Sequence, residues 1–232
     1  MKIILSLACL LTISSALAQN NDNIVNNTAA TMDQASNAGQ SSYGASAYFV
    51  NPARAVDGTV YLFEDWNNAG VIYAANQRFS LKNINLNIQR NSFESKVGQD
   101  SLFSFNFNNV EKFVINGRTF KNYYWEDDNR VYEIIYESEN WSIIKGFKIV
   151  EVTGSANPML NRSRDRMVRK MFYYLKDDKG IHSLILKRKK ILKLVKGDGK
   201  DIEKTANFAK ANKLSYKKEE DLRKILEYSE NN

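Results

Sequence analysis

The sequence predicts a mainly β fold, an antiparallel meander forming a small barrel-like or open sandwich domain, followed by a short basic α-helical C-terminal tail. Three observations predict it. Apolar and polar residues alternate over Asn83–Gln89 and again over Phe103–Phe107, which is the period of a half-buried strand. Asn116-Gly117 lies between two apolar runs, and both residues tolerate the positive φ that a type I′ hairpin turn demands. After Lys187 the apolar period lengthens to about 3.6, the period of helices.

Taken in order, the chain opens with Lys2, an apolar run from Ile3 to Ile13 and the small-x-small triplet Ala16-Leu17-Ala18. Residues 1–18 therefore have the layout of a secretory signal peptide, and the expected location is the periplasm, the cell envelope or the medium beyond. The apolar run is shorter than the roughly 20 residues that span a bilayer, so no transmembrane segment is expected in the mature chain. Ser6 stands where a bacterial lipoprotein signal carries leucine, which argues against lipid attachment. Cys9, the one cysteine, lies inside this leader. A disulfide-free exported domain must rely on its core, and a hydrophobic content of 43% makes one feasible.

Residues 19–47 are rich in Asn, Gln, Ser, Ala and Gly and poor in large apolar side chains, so they are expected to form a disordered tether. The β domain is expected over residues 48–187. Within it, Asn83–Gln89 and Phe103–Phe107 are strands, and Phe113-Val114-Ile115 and Arg118-Thr119-Phe120 flank the Asn116-Gly117 turn. A second hairpin runs from Tyr123-Tyr124-Trp125 over Glu126–Asn129 to Val131–Tyr136. Trp141–Val150 follows, with Trp141, Ile143, Phe147 and Ile149 on one face, and a last pair joins Met171–Leu175 to Ile181–Leu186 across Asp177–Gly180. Pro52 and Pro158 fall in loops, where the missing amide breaks no ladder. Residues 188–232 are the helical tail, with narrow apolar stripes at Ile191, Leu192, Leu194 and Val195, at Ile202, Thr205, Ala206 and Ala209, and at Leu222, Ile225 and Leu226. Such stripes suit packing on the sheet, or on each other, with the lysines in water.

The net charge of +7 is distributed unevenly. Residues 19–150 carry 11 Lys and Arg against 14 Asp and Glu, whereas residues 151–232 carry 21 against 12. The sharpest concentration is a basic loop of Arg162, Arg164, Arg166, Arg169 and Lys170, with Asp165 the only acid among them. These cations repel one another unless they are solvated or meet an anionic partner, such as lipid phosphate, an acidic polysaccharide or an acidic protein face. A nucleic-acid partner is not expected, because no recognisable nucleic-acid module is present.

Several chemistries lose their carriers at once. With His182 as the only histidine, any His-dependent triad has a single candidate base, and a zinc site would have to be built from carboxylates. No GxGxxG, Walker A, HExxH or EF-hand loop occurs, and no cofactor is expected. Glu64-Asp65 beside Trp66, and Glu126-Asp127-Asp128 after Trp125, pair acids with aromatics as glycosidases do. Adjacent strand residues point to opposite faces, however, so only Glu126 with Asp128, or acids from separate strands, could converge. In the doublets Tyr123-Tyr124 and Tyr173-Tyr174 one ring should enter the core and one should face outward, which makes Tyr124 and Tyr174 candidates for a binding platform.

The signal peptide, Tyr61-Leu62-Phe63-Glu64-Asp65-Trp66, Phe113–Phe120, Ala211-Asn212-Lys213-Leu214-Ser215-Tyr216 and Glu219-Glu220-Asp221-Leu222, in that order, resemble uncharacterised exported β-rich proteins of the Bacteroidota. That resemblance implies export and a β-rich fold, and it brings no activity or catalytic residue with it. Asp100-Ser101-Leu102 likewise resembles the acceptor motif for O-glycosylation in those bacteria. The expected function is a non-catalytic binding or structural module of the envelope. The alternative is a carboxylate-dependent envelope hydrolase acting on glycans or peptides.

Overall fold

A computed structural model describes residues 56–97, 101–107, 110–155 and 164–231, together with two short strands nearer the start of the chain. In chain order the strands are β1 (Asn23–Ile24), β2 (Gly44–Tyr48), β3 (Gly70–Ala74), β4 (Gln77–Leu81), β5 (Ile84–Asn87), β6 (Ser92–Lys96) and β7 (Ser101–Phe105). Then come β8 (Val110–Ile115), β9 (Arg118–Trp125), β10 (Asp128–Glu137), β11 (Ser142–Val152), β12 (Arg166–Asp177) and β13 (Gly180–Leu184). Helices α1 (Arg188–Gly197), α2 (Ile202–Ala211) and α3 (Glu219–Glu230) close the chain.

The strands form two sheets and no closed barrel. The larger has the order β1-β4-β3-β8-β9-β10-β11-β12-β13, and the smaller has the order β2-β7-β6-β5. Every pairing between these strands is antiparallel except that of β1 with β4. Of the two expected forms, the open sandwich is the one found. The Asn116-Gly117 turn has φ 50° and 76°, and the turn expected over Glu126–Asn129 has only two residues, Glu126 and Asp127 at φ 51° and 60°, because Asp128 and Asn129 already pair with β9. This is the left-handed geometry whose twist matches the flanking strands.

One face of the large sheet carries both hydrophobic cores, while Ile144 and Tyr132 are buried on the reverse face. Phe120 lies opposite Glu133, Glu133 opposite Lys145, Lys145 opposite Tyr173 and Tyr173 opposite Leu184, so this row shares a single face. At one end the small sheet covers it: Ile84, Leu86, Phe93, Phe103 and Phe105 pack against Ile72, Phe113, Ile115, Phe120 and Val131. Phe93 stacks on Phe113 with centroids 3.9 Å apart. At the other end the helices cover it, with Ile191, Val195, Leu222 and Leu226 on Ile135, Tyr136, Trp141, Ile143, Leu184 and Leu186. The tail thus shares the second core with the β domain. Burial of each such side chain contributes about 2 kcal/mol, and Lys189, Lys190, Lys193 and Lys196 of α1 face water. Asp201 caps α2 by accepting from the amides of Glu203 and Lys204, and the acids Glu219, Glu220 and Asp221 fill the first turn of α3.

Three expectations are corrected. The Asn83–Gln89 strand is not half-buried, since all four residues of β5 are buried. The segment 57–69 covers its outer side, and the Asn85 amide bridges to it, accepting from Phe63 N and donating to Phe63 O. The tether span contributes two strands, β1 on β4 and β2 on β7, and its other residues lie outside the described ones. The basic segment is not one loop, because Arg166, Arg169 and Lys170 belong to β12, paired with β11 along its length. Charged residues occupy both faces of that strand, which hides its period-two pattern.

Candidate functional site

The large sheet splits between β10 and β11. β9 and β10 stay paired out to Trp125 and Asp128, and β11 and β12 stay paired out to Val152 and Arg166, but the β10–β11 ladder runs only from Glu137–Ser142 to Glu133–Lys145. Beyond that point the strands diverge. A cavity of about 530 Å³ occupies the gap, with Asn129 and Arg130 of β10 on one side, Lys148 and Ile149 of β11 on the other, and Gln89 and Met167 at its margins.

Asn91, in the turn after β5, covers part of the exposed edge of β10. Its side chain accepts from the amide of Val131 at 2.9 Å and donates to the carbonyl of Asn129 at 2.6 Å, much as a paired strand would. Those bonds show that the backbone of Asn129 and Val131 points away from β9. By alternation Glu133 does too, and its opposite number on β11 is Lys145. The same alternation turns the amides and carbonyls of Phe147, Ile149 and Glu151 toward the cavity, while those of Lys148 and Val150 face β12. Among the described residues no group fills the cavity-side bonds of β11.

Cations gather on the other face of the same strands. Lys148 and Lys170 stand directly opposite each other on β11 and β12, Arg166 lies farther along β12 on that face, and Arg130 joins Lys148 in lining the cavity. Arg130 is ion-paired with Asp128. Of the residues expected to bind anions, Arg166 and Lys170 therefore remain together at the surface. Arg164 is exposed beside Asp57 at 3.9 Å. Arg162 lies outside the described residues. Arg169 points to the opposite face and is engaged in structure, donating to the carbonyls of Tyr61 and Leu62. Sequence reasoning missed Lys148 and Arg130, which only the ladder brings into this group. The available signal was a second lysine, Lys148, in a largely apolar strand that already contains Lys145.

Tyr124 and Tyr174 do not form one platform. Register places Tyr124 on the face of Phe120 and Tyr174 on the reverse. Tyr124 is 69% exposed and donates to Asp127, a bond that raises its pKa. Tyr174 is half-buried, edge-on to Tyr132, and a Cβ on Gly146 would lie 3.1 Å from one ring and 3.2 Å from the other. On that reverse face Lys176 of β12 sits 4.9 Å from the ring centroid of Tyr123 on β9. Strands three apart are about 14 Å from each other in a flat sheet, so this sheet is strongly coiled. Burial, reinforced by the charge of Glu137, pushes the Tyr123 hydroxyl up to about 12.

The carboxylates are dispersed. Glu126 is in a turn, Asp128 is held by Arg130, and among the described residues no bond joins either of them to Glu64. The acids that are buried were not foreseen. Glu94 accepts from Tyr61 at 2.6 Å and Asn87 at 3.1 Å, and burial is the main cause of the raised Tyr61 pKa. Glu133, at the seam between the two cores, meets Arg118 and Lys145, each at 2.6 Å. Burial pushes its carboxyl up, but the bonds from Arg118 and Lys145 outweigh that and hold it below the ordinary range. Lys145 also reaches Glu219 of α3 at 2.9 Å, and Tyr173 donates to the same carboxylate. His182 is exposed, 3.7 Å from Asp177 and beside Trp125. Among the described residues no cluster of His, Cys, Asp or Glu could hold a metal ion, and no helix is long and apolar enough to cross a membrane. Comparison with protein-family models, curated proteins and solved structures returns no match.

Proposed function

We propose that the chain is exported behind residues 1–18 and acts in the periplasm or cell envelope as a non-catalytic binding module for an anionic partner. One observation carries the reading: Lys148 and Lys170 are cross-strand neighbours of like charge, with Arg166 on the same face and Arg130 across the cavity. Like charges directly opposite each other are destabilising, and an anion laid across them relieves that repulsion. The surrounding chain adds little repulsion toward such a partner at long range, because residues 151–232 carry most of the positive charge.

The test uses two anionic probes, dextran sulfate and phosphatidylglycerol vesicles, so that polysaccharide-like and lipid sources are separated. Retention is expected at low salt and should fade as the Debye length falls from about 30 Å to about 8 Å at physiological ionic strength. Replacing Arg130, Lys148, Arg166 and Lys170 together by Gln should remove most of it, with stability within about 0.5 kcal/mol per site. Equal retention of wild type and quadruple variant on both probes would end the proposal. Export has its own readout, the N-terminal sequence of protein recovered from the envelope fraction. A chain still beginning at Met1 would contradict it.

A further inference from the structure

We propose that the open edge of β11 receives an extended peptide whose side chains alternate acidic and aliphatic, and that this peptide lies as an added strand in the gap between β10 and β11. The inference deepens the reading of an anionic partner, rests on it, and names the partner's chemistry. Backbone geometry comes first. Phe147, Ile149 and Glu151 turn their amides and carbonyls into a cavity of about 530 Å³, and among the described residues none pairs with β11 on that side from Gly146 to Val152. That stretch offers about 20 Å of strand edge, and pairing an extended chain to such an edge is an established mode of peptide recognition.

Side-chain chemistry then selects the peptide. A strand beside β11 would direct alternate side chains to its two faces. On one face they would meet Arg130 and Lys148, with Lys170 beyond, and carboxylates suit that position. On the other face they would meet Ile88, Phe147, Ile149 and Met167, where aliphatic groups fit. Asn91 already completes the edge of β10 at Asn129 and Val131, so the newcomer needs to bond on one side only. This matches the one-sided pairing of an edge strand.

Native-state hydrogen exchange on the whole chain tests the proposal, with a peptide of about seven alternating valines and glutamates as probe. In the free protein the amides of Phe147, Ile149 and Glu151 should exchange about a hundredfold faster than those of Lys148 and Val150. The peptide should slow the first set about tenfold or more, and its counterpart with lysine in place of glutamate should not. A peptide N-methylated along one edge should lose the effect, which keeps the test independent of any variant's folding. Dextran sulfate should bind without slowing those amides.

Equal protection across residues 147–151 in the free protein would overturn the inference. So would failure of the valine–glutamate peptide to bind, or binding that leaves those amides fast. If dextran sulfate is still retained in either case, the anionic-partner reading survives and only the added strand falls. Protection that rises with protein concentration alone would show that a second copy supplies the strand, which also overturns the peptide assignment.

Discussion

The ammonium of Lys145 stands 2.6 Å from the carboxylate of Glu133 on the adjacent strand, and both side chains are almost wholly buried. Arg118 approaches the same carboxylate from the sandwich side and Glu219 approaches the lysine from α3. Charge therefore bridges the two cores. Removing one member of such a pair strands the other in a poorly solvating interior, whereas replacing both with neutral groups of similar size is nearly neutral. Lys145→Met should lower the unfolding free energy by about 3–5 kcal/mol in urea titrations, and Glu133→Gln added to it should restore most of the loss. A single variant as stable as wild type would show that the pair is solvated.

Acid should act through the same carboxylate. Because Arg118 and Lys145 hold Glu133 below the ordinary range, the folded state binds its proton more weakly than the unfolded chain does. Its contribution is complete above the unfolded value of about 4.3 and disappears as pH falls through the lower folded value. Urea midpoints measured from pH 6 down to about pH 3 should decline less in Glu133→Gln than in wild type. Parallel declines would assign the acid sensitivity to other groups.

Arg169 and Lys170 are neighbours in sequence with opposite duties. Arg169→Gln removes charged hydrogen bonds to the Tyr61 and Leu62 carbonyls and should destabilise by about 1.5–3 kcal/mol. Lys170→Gln, at the surface, should stay within about 0.5 kcal/mol. Chemical denaturation of the two variants side by side decides the matter, and equal stabilities would contradict the inward role of Arg169.

Trimming the chain at Tyr48 removes β1 from β4 and β2 from β7. The small sheet then ends at β7, and its rim beside Phe103 and Phe105 opens to water. The melting temperature of a chain beginning at Phe49 should fall by about 5 °C or more relative to one beginning at Gln19. An unchanged melting temperature would make the two strands dispensable.

Local signals in the sequence lead directly to the local structure. Asn116-Gly117 marks its hairpin because a two-residue turn needs residues that accept positive φ, the polar run Glu126–Asn129 marks the next one only to within two residues, and the stripes at Ile191, Leu222 and Leu226 mark helices that bury those residues. Long-range consequences were hidden. Nothing within β10 or β11 announces where their ladder stops, because that depends on Asn91 reaching the β10 edge from 40 residues earlier. The partner of Arg169 is a carbonyl 107 residues away, so its burial could not be separated from the exposure of Lys170 by composition. Asn85 and Asn87 read as the wet side of a strand, yet side-chain bonds to Phe63 and Glu94 let them be buried. At the candidate site the cationic surface was legible as charge, and the cleft beside it was not.

The dependence of the second core on α3 has a consequence for how the chain is made. Ile135, Trp141, Ile143 and Leu184 are covered by Leu222 and Leu226, which are synthesised after all four of them. Until those residues arrive, the meander from β10 to β13 carries an uncovered apolar face, the kind of surface that drives aggregation of incomplete chains. A message truncated before Glu219 would also leave Lys145 without its second carboxylate. The helix Glu219–Glu230 thus decides whether a newly made chain becomes a stable sandwich or a sticky sheet, and a stop codon before it should be as damaging as one within the strands that it covers.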